Sequence, residues 1–173
     1  MPEPGMVHVY TGNGKGKTTA ALGLAIRARG RGLSVLVVQF MKGNVEYGEL
    51  SSFRDLGMEI VQFGRPDFVD QHDPDPVDVR MAGEGLEFAA ERIRSGKYDM
   101  VVLDEINVAA AWKLVPVEAV MAILEERPAN LEVVLTGRYA PDEFIEAADL
   151  VTEMVEVKHY FRKGVQARDG IER

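Results

Sequence analysis

Thr11-Gly12-Asn13-Gly14-Lys15-Gly16-Lys17-Thr18 follows directly on the short apolar run Val7–Tyr10 and leads into Thr19-Ala20-Ala21. The octet is one residue away from G-x-x-x-x-G-K-[ST], with Thr11 at the first glycine position, and a strand before and a helix after are the setting that pattern requires. Glycines let a backbone wrap closely round phosphate oxygens. Successive N–H groups and a helix N-terminus then direct positive dipoles at the anion. Lys17 adds a point charge, and the Thr18 hydroxyl is placed to ligate a magnesium ion that bridges the phosphates. A plain strand-to-helix turn needs one or two glycines, whereas this one interleaves three glycines with two lysines before a threonine. The spacing Gly12-x-Gly14-x-Gly16 does not fit a dinucleotide fingerprint. The octet therefore predicts nucleotide binding.

Outward from the loop, strand-like and helix-like segments alternate. Thr18–Arg29 has Leu22, Ala25, Ile26 and Arg29 at helical spacing and is stopped by Gly30 and Gly32. Leu33–Phe40 is a nearly continuous apolar run, the mark of a strand covered on both faces. Tyr47–Leu56 predicts a short helix and Met58–Phe63 a strand. Gly64–Pro76 holds three prolines and four aspartates and reads as a loop, long enough to suggest a functional role. Val77–Ser95 predicts an amphipathic helix with Met81, Gly85, Phe88, Ala89 and Ile93 on one face. Tyr98–Leu103 is a strand ending in Asp104-Glu105. Helices follow over Ile106–Lys113 and, with Pro116 at its start, Val117–Arg127. Leu131–Leu135 is a strand ending in Thr136-Gly137-Arg138, Asp142–Ala148 a short helix, and Leu150–Val157 a last, edge-like strand. The alternation predicts one α/β domain over residues 1–173, a mostly parallel sheet with helices on both faces.

Val101–Glu105 is the natural partner of the loop, since an apolar strand ending in acid places a metal-binding carboxylate beside phosphates. Asp104, Glu105 and Thr18 are the candidate magnesium ligands. Arg138 follows the next strand and is expected on the same sheet edge, where ligands of open parallel sheets bind. Trp112 and the methionines Met81 and Met121 read as core. His159 fits a hydrogen-bonded surface position as well as a ligand contact. His72 stands in a solvated acidic loop without metal-ligand spacing.

Composition narrows the function classes. The 173 residues carry 20 Lys and Arg against 28 Asp and Glu, a net charge of −8, which argues against nonspecific binding to nucleic acid or an anionic membrane. There is no cysteine, so thiolate catalysis and disulfides are excluded. The first residues lack a signal-peptide pattern, and a cytoplasmic location is expected. The segment 158–173 departs from the average, with five basic and two acidic residues, a local +3.

Taken together, these blocks resemble the P-loop type of ATP:corrinoid adenosyltransferase. The resemblance is carried by Thr11–Thr19, Val37–Gly43, Val101–Glu105, Leu135–Arg138, Ala147–Glu153 and Val157–His159, and ordinary P-loop kinases do not share the later blocks. It implies a RecA-like sheet, a cytoplasmic homodimer and a flavoprotein as the source of reducing power. It also implies transfer of the 5′-deoxyadenosyl group of ATP to cobalt(I) of a corrinoid, with triphosphate released. Gly12, Asn13, Gly14, Lys15, Gly16, Lys17, Thr18 and Thr19 would bind ATP. Thr18 and Glu105, with Asp104, would hold Mg²⁺; Lys42 and Arg138 would be further site residues, and Phe68 would approach the corrinoid. Val69 and Asp70 follow Phe68 without a tryptophan, and Arg168 stands where the family has glutamine. The residues alone leave two other readings open. One is a P-loop ATPase or small-molecule kinase with Glu105 orienting the acceptor; the other is a nucleotide-sensing module without chemistry.

Overall fold

The computed structural model describes residues 4–43, 47–67 and 69–172. Its strands are β1 (Val7–Thr11), β2 (Val35–Phe40), β3 (Glu59–Phe63), β4 (Met100–Asp104), β5 (Glu132–Thr136) and β6 (Leu150–Glu153). Its helices are α1 (Lys17–Gly30), α2 (Gly48–Asp55), α3 (Pro76–Arg94), α4 (Ile106–Ala111), α5 (Val117–Glu126) and α6 (Asp142–Ala147), and a single 3₁₀ turn spans Tyr160–Lys163. The sheet runs β3-β2-β4-β5-β1-β6 with every pairing parallel. This is the α/β phosphate-loop class expected, with β5 standing between the loop strand β1 and the acid-bearing strand β4.

Strand periodicity divides the core in two. Val35, Val37, Met100, Val102 and Val134 face Ala21 and Ala25 of α1 and Phe53 of α2. The alternate residues Leu36, Val38, Val101, Leu103, Val133 and Leu135 face α3, α4, α5 and α6. With both faces covered, β2 and β4 are apolar throughout, apart from Gln39 and Asp104 at their C-terminal ends.

Several boundaries and faces differ from the sequence reading. The second strand begins at Val35, with Leu33 left exposed. In α1 the buried residues are Ala21 and Ala25 while Ile26 is exposed, so small side chains let that helix lie close to the sheet. The buried face of α3 runs through Asp78, Ala82, Gly85, Leu86, Ala89, Ala90 and Ile93. It is rotated toward Ala82 and Leu86, and Met81 is only half-buried rather than core. Met121 does pack against the core. β6 is an edge strand, exposed throughout, and ends at Glu153 rather than Val157 because Met154 turns onto the phosphate loop. The start of α3 is set by Asp75, whose side chain accepts from the Val77 N–H, with Pro76 in the first turn.

Gly85 lets α3 approach β2 and β3. A Cβ there would lie 2.9 Å from Phe63 Cβ and Cγ and 3.1 Å from Phe40 Cε1, whereas a Cβ on Gly83 meets nothing within 4 Å. Gly85→Ala is expected to cost about 1–3 kcal/mol by overpacking. Gly83→Ala is expected to be neutral or stabilising by up to about 1 kcal/mol. Denaturant unfolding of the two variants checks both.

Candidate functional site

Period 2 along each strand places a row of polar side chains across the C-terminal edge of the sheet, on the face that α1 covers. Gln62 pairs with Gln39, Gln39 with Asp104, and Tyr10 with Thr136 in the ladder register. The row is hydrogen-bonded from Gln62 to Thr136. Gln62 Nε2 donates to Gln39 Oε1 (2.9 Å), Gln39 Nε2 to Asp104 Oδ2 (3.0 Å), and Thr136 Oγ1 to Asp104 Oδ1 (2.7 Å). Thr18, in the first turn of α1, donates to Asp104 Oδ1 at 2.8 Å, and Lys42 Nζ to Oδ2 at 2.8 Å. Asp104 is fully buried. Burial raises its pKa, but the Lys42 ammonium and the hydrogen bonds from Lys42, Thr136 and Thr18 outweigh it and hold the carboxyl below its ordinary range.

The phosphate loop sits against this row. Gly12 (φ 94°) and Gly16 (φ 118°) occupy the left-handed region, which is why glycine stands there. Gly14 is required for a different reason: its N–H donates to Met154 O at 2.6 Å, and a Cβ on it would meet that oxygen at 2.7 Å. Thr11 substitutes for the first glycine without strain because it is the last residue of β1. Lys17 is 7% exposed and its Nζ donates to Gly12 O (2.8 Å) and Gly14 O (2.7 Å), folding the loop round its own ammonium. Burial lowers its pKa; Glu105 and Asp104 oppose that shift, and Arg138 adds to it. No side chain caps α1 and its first turn holds no acid, so the positive helix end is open to an anion. Lys15 is exposed and donates to Ile171 O at 3.1 Å, while Asn13 and Thr19 are exposed on the outer side.

Glu105 (φ 64°) turns the chain out of β4 into α4, pinned by its N–H to Thr136 Oγ1 at 3.0 Å. Burial and then the Asp104 charge push its carboxyl above the ordinary range, against the pull of Lys42, Lys17 and Arg138. Thr18, Asp104 and Glu105 thus converge from two elements, and all three offer the oxygen donors that a hard cation such as Mg²⁺ takes. Arg138 is exposed at the same edge. With Asn13, Tyr139, Glu153, Val155 and Arg162 it lines a cleft of about 430 Å³ beside the loop. A smaller cavity of about 140 Å³ lies across the edge, lined among others by Met41, Lys42, Tyr47, Arg65, Val69 and Trp112.

The structure therefore brings Gly12–Thr19, Lys42, Asp104, Glu105 and Arg138 to one edge, while Phe68 lies outside the described residues. Trp112 is half-buried, packing against the core and lining the smaller cavity. His159 caps the 3₁₀ turn by accepting from the Phe161 N–H. His72 is exposed, and no cluster of three metal-ligating side chains occurs among the described residues. Gln39 and Thr136 have no role in the sequence reading, yet both grip Asp104. The available signal was a single polar residue at the C-terminal end of an apolar strand.

An open parallel sheet whose glycine-rich loop feeds a helix beside a buried strand-end aspartate is the arrangement of the phosphate-loop α/β class. Residues 3–173 match the family model described as ATP:corrinoid adenosyltransferase BtuR/CobO/CobP, and the chain belongs to that family of alkyl-transferring enzymes. It is similar to the corrinoid adenosyltransferase of a Sinorhizobium species, with 42% identity over 98% of this chain and 81% of the relative. It is also similar to those of Pseudomonas aeruginosa (39%, over 98% and 84%) and Escherichia coli K12 (40%, over 98% and 86%). No helix among the described residues is long and apolar enough to cross a membrane.

Lys42→Met is expected to destabilise the fold at neutral pH by about 3 kcal/mol, because it leaves a buried carboxylate without its cation. The depressed Asp104 pKa contributes stability above the unfolded carboxyl value, and that contribution is lost as pH falls through the folded one. The Lys42 pKa is raised by Asp104 against the effect of burial, so its contribution persists up to the alkaline range. The deficit of the variant should therefore shrink as pH falls into the acidic range and Asp104 takes up a proton, first in the variant and then in the wild type. Denaturant melts at neutral and acidic pH check this.

Proposed function

We propose that this chain transfers the 5′-deoxyadenosyl group of ATP to the cobalt(I) of a reduced corrinoid, releasing inorganic triphosphate. The supporting observation is the convergence, in a member of this family, of the phosphate loop, the buried Thr18–Asp104 contact and Glu105 on one sheet edge. Gly12–Thr19 would receive the triphosphate, with Lys17 exchanging the carbonyls of Gly12 and Gly14 for phosphate oxygens. Thr18 and Glu105, with Asp104 behind them, would hold Mg²⁺, which supplies charge neutralisation to the departing phosphates. Arg138, at the cleft beside the loop, would add positive charge to the leaving group. Lys42 would stand at the site paired with Asp104, and the loop carrying Phe68 would face the corrinoid.

The nucleophile in this reaction belongs to the substrate. The cobalt(I) electron pair forms the cobalt–carbon bond at C5′, the C5′–O bond breaks, the metal ends as cobalt(III), and triphosphate leaves with the bonding pair. That fits a chain with no cysteine and only three histidines. The work of the protein is alignment and stabilisation of the leaving group. The same reading takes residues 1–173 as one unit with a basic tail at 158–173, acting as a cytoplasmic homodimer beside a flavoprotein reductant. The family resemblance is its support.

Anaerobic incubation with Mg-ATP and chemically reduced cob(I)alamin should convert the cobalt(I) spectrum to that of a light-sensitive alkylcobalt species, with triphosphate as the phosphate product. ADP without a spectral change would replace this reading by an ATPase or kinase.

Lys17→Ala and Thr18→Ala should each keep the fold by circular dichroism and lose turnover about 10²–10³-fold, the scale of losing one preorganised electrostatic contact. Glu105→Gln should shift the magnesium titration of activity to higher concentration. An unchanged titration would remove Glu105 from the metal site.

A further inference from the structure

The β3–α3 loop is anchored by an ion pair that the reaction scheme does not use. Arg65 Nε donates to Asp78 Oδ1 at 2.8 Å and Arg65 Nη2 to Asp78 Oδ2 at 2.6 Å, a two-pronged contact. Asp78 is 3% exposed and lies in the first turn of α3, where the helix dipole favours an anion. Asp75, the cap of the same helix, lies 3.6 Å from the third guanidinium nitrogen. An ion pair with one partner buried is a poor device for stability, because desolvating Asp78 offsets much of the attraction. A planar fork on a carboxylate is, by contrast, a strong device for fixing geometry.

What the fork fixes is the wall of the smaller cavity. Arg65 follows Gly64, and the Gly64 backbone lies against the chain leaving β2, where a Cβ on Gly64 would come within 2.5 Å of Lys42 N. Gly43 abuts the Gly64 carbonyl in return, so tightly that it has no room for a side chain. Met41, in the left-handed region at φ 59°, donates its N–H to Phe63 O at 2.8 Å. The segments after β2 and β3 are thus held back to back, and the second is tied to the long, well-packed helix α3. Trp112 closes the cavity from the end of α4.

We propose that the Arg65–Asp78 pair is a positioning device for the second substrate. By tying the β3–α3 loop to α3, it sets where the Met41–Gly43 backbone and residues 65–67 stand, and so shapes the corrinoid side of the edge. The proposal rests on the corrinoid reading above. It assigns no role toward ATP, because the Lys42 ammonium is held on the nucleotide side by Asp104 itself.

The test uses the full chain as wild type, Asp78→Asn and Arg65→Lys, with two readouts. The first is the pair of KM values, for cob(I)alamin and for ATP. The second needs no turnover: Trp112 is the one tryptophan of the chain, and its fluorescence is titrated with hydroxocobalamin, with a free tryptophan amide as the absorption control. Both variants should raise the cob(I)alamin KM and the half-quenching concentration by about tenfold or more, the scale of a sub-ångström to ångström misplacement. The ATP KM should stay within about twofold, since uniform loss of binding to one substrate leaves the other unchanged. Corrinoid constants that do not move in folded variants would overturn the proposal, as would ATP and corrinoid constants that rise together. If Asp78→Asn does not fold, Arg65→Lys, which keeps the cation and loses the fork, decides alone. If the wild type makes no alkylcobalt product yet Trp112 is quenched, the catalytic reading fails and the quenching series still decides the pair. If hydroxocobalamin does not quench wild-type Trp112, the cavity is not a corrinoid wall and the proposal falls.

Discussion

A fully buried carboxylate at the end of the central strand β4 is the constraint round which this molecule is arranged. Asp104 accepts hydrogen bonds from Thr18, Thr136, Gln39 and Lys42. Those residues come from the first turn of α1, the ends of β5 and β2, and the segment after β2. Each donor lowers the cost of keeping the charge out of water, and each is thereby fixed in place. The start of α1, which in the proposed reaction would face phosphate, is therefore located by a strand two positions away in the sheet. Parallel pairing makes this possible, because it brings the C-terminal ends of all the strands to one edge, where the adjoining loops carry the chemistry.

The phosphate loop has a second constraint that a motif search does not contain. Glycines are commonly explained there by the approach of an anion. Here the loop is also clasped by its own chain, with Met154 N–H donating to Thr11 O and Met154 O accepting from Gly14 N–H. Gly12 and Gly14 could not carry a Cβ beside Met154 even without a ligand. The early end of β6 and the spacing of the glycines are two aspects of one contact. Lys17 completes the loop from inside, its ammonium lying where charge would otherwise be missing between two carbonyl oxygens.

These contacts differ in how far they were legible in the sequence. The loop, Asp104-Glu105 and Arg138 were readable because each is local: a strand, a turn and a helix signal lie within a few residues of one another. Gln39 and Thr136 were not, because their importance lies in register. A lone glutamine in Val35–Phe40 carries no message until β2 is set beside β4 with Gln39 opposite Asp104. Helix phase was read only in part. Gly85, Ala89 and Ile93 of α3 and Ala25 of α1 are buried as the spacing implied, but Ile26 is exposed and Met81 half-buried, because Ala21, Ala82 and Gly85 let backbone lie close to the sheet. In β6 the apolar alternation described an edge whose side chains remain exposed.

The chain carries a net −8, so its overall field repels a polyanion, and attraction must come from the edge itself. Asp104 and Lys42 form an internally neutral pair. Beside them stand Lys17, Arg138 and the unspent amides of α1, and Glu105, whose carboxyl burial and Asp104 push toward its neutral form; the cleft next to the loop adds Arg162, Glu153 and Glu156. A cation held at Glu105 would leave that edge more positive. In the proposed reaction this gives selectivity for a compact, metal-bound chain of phosphates over an extended anion such as nucleic acid. A surface of this overall sign discriminates between them through local geometry, since bulk charge opposes both.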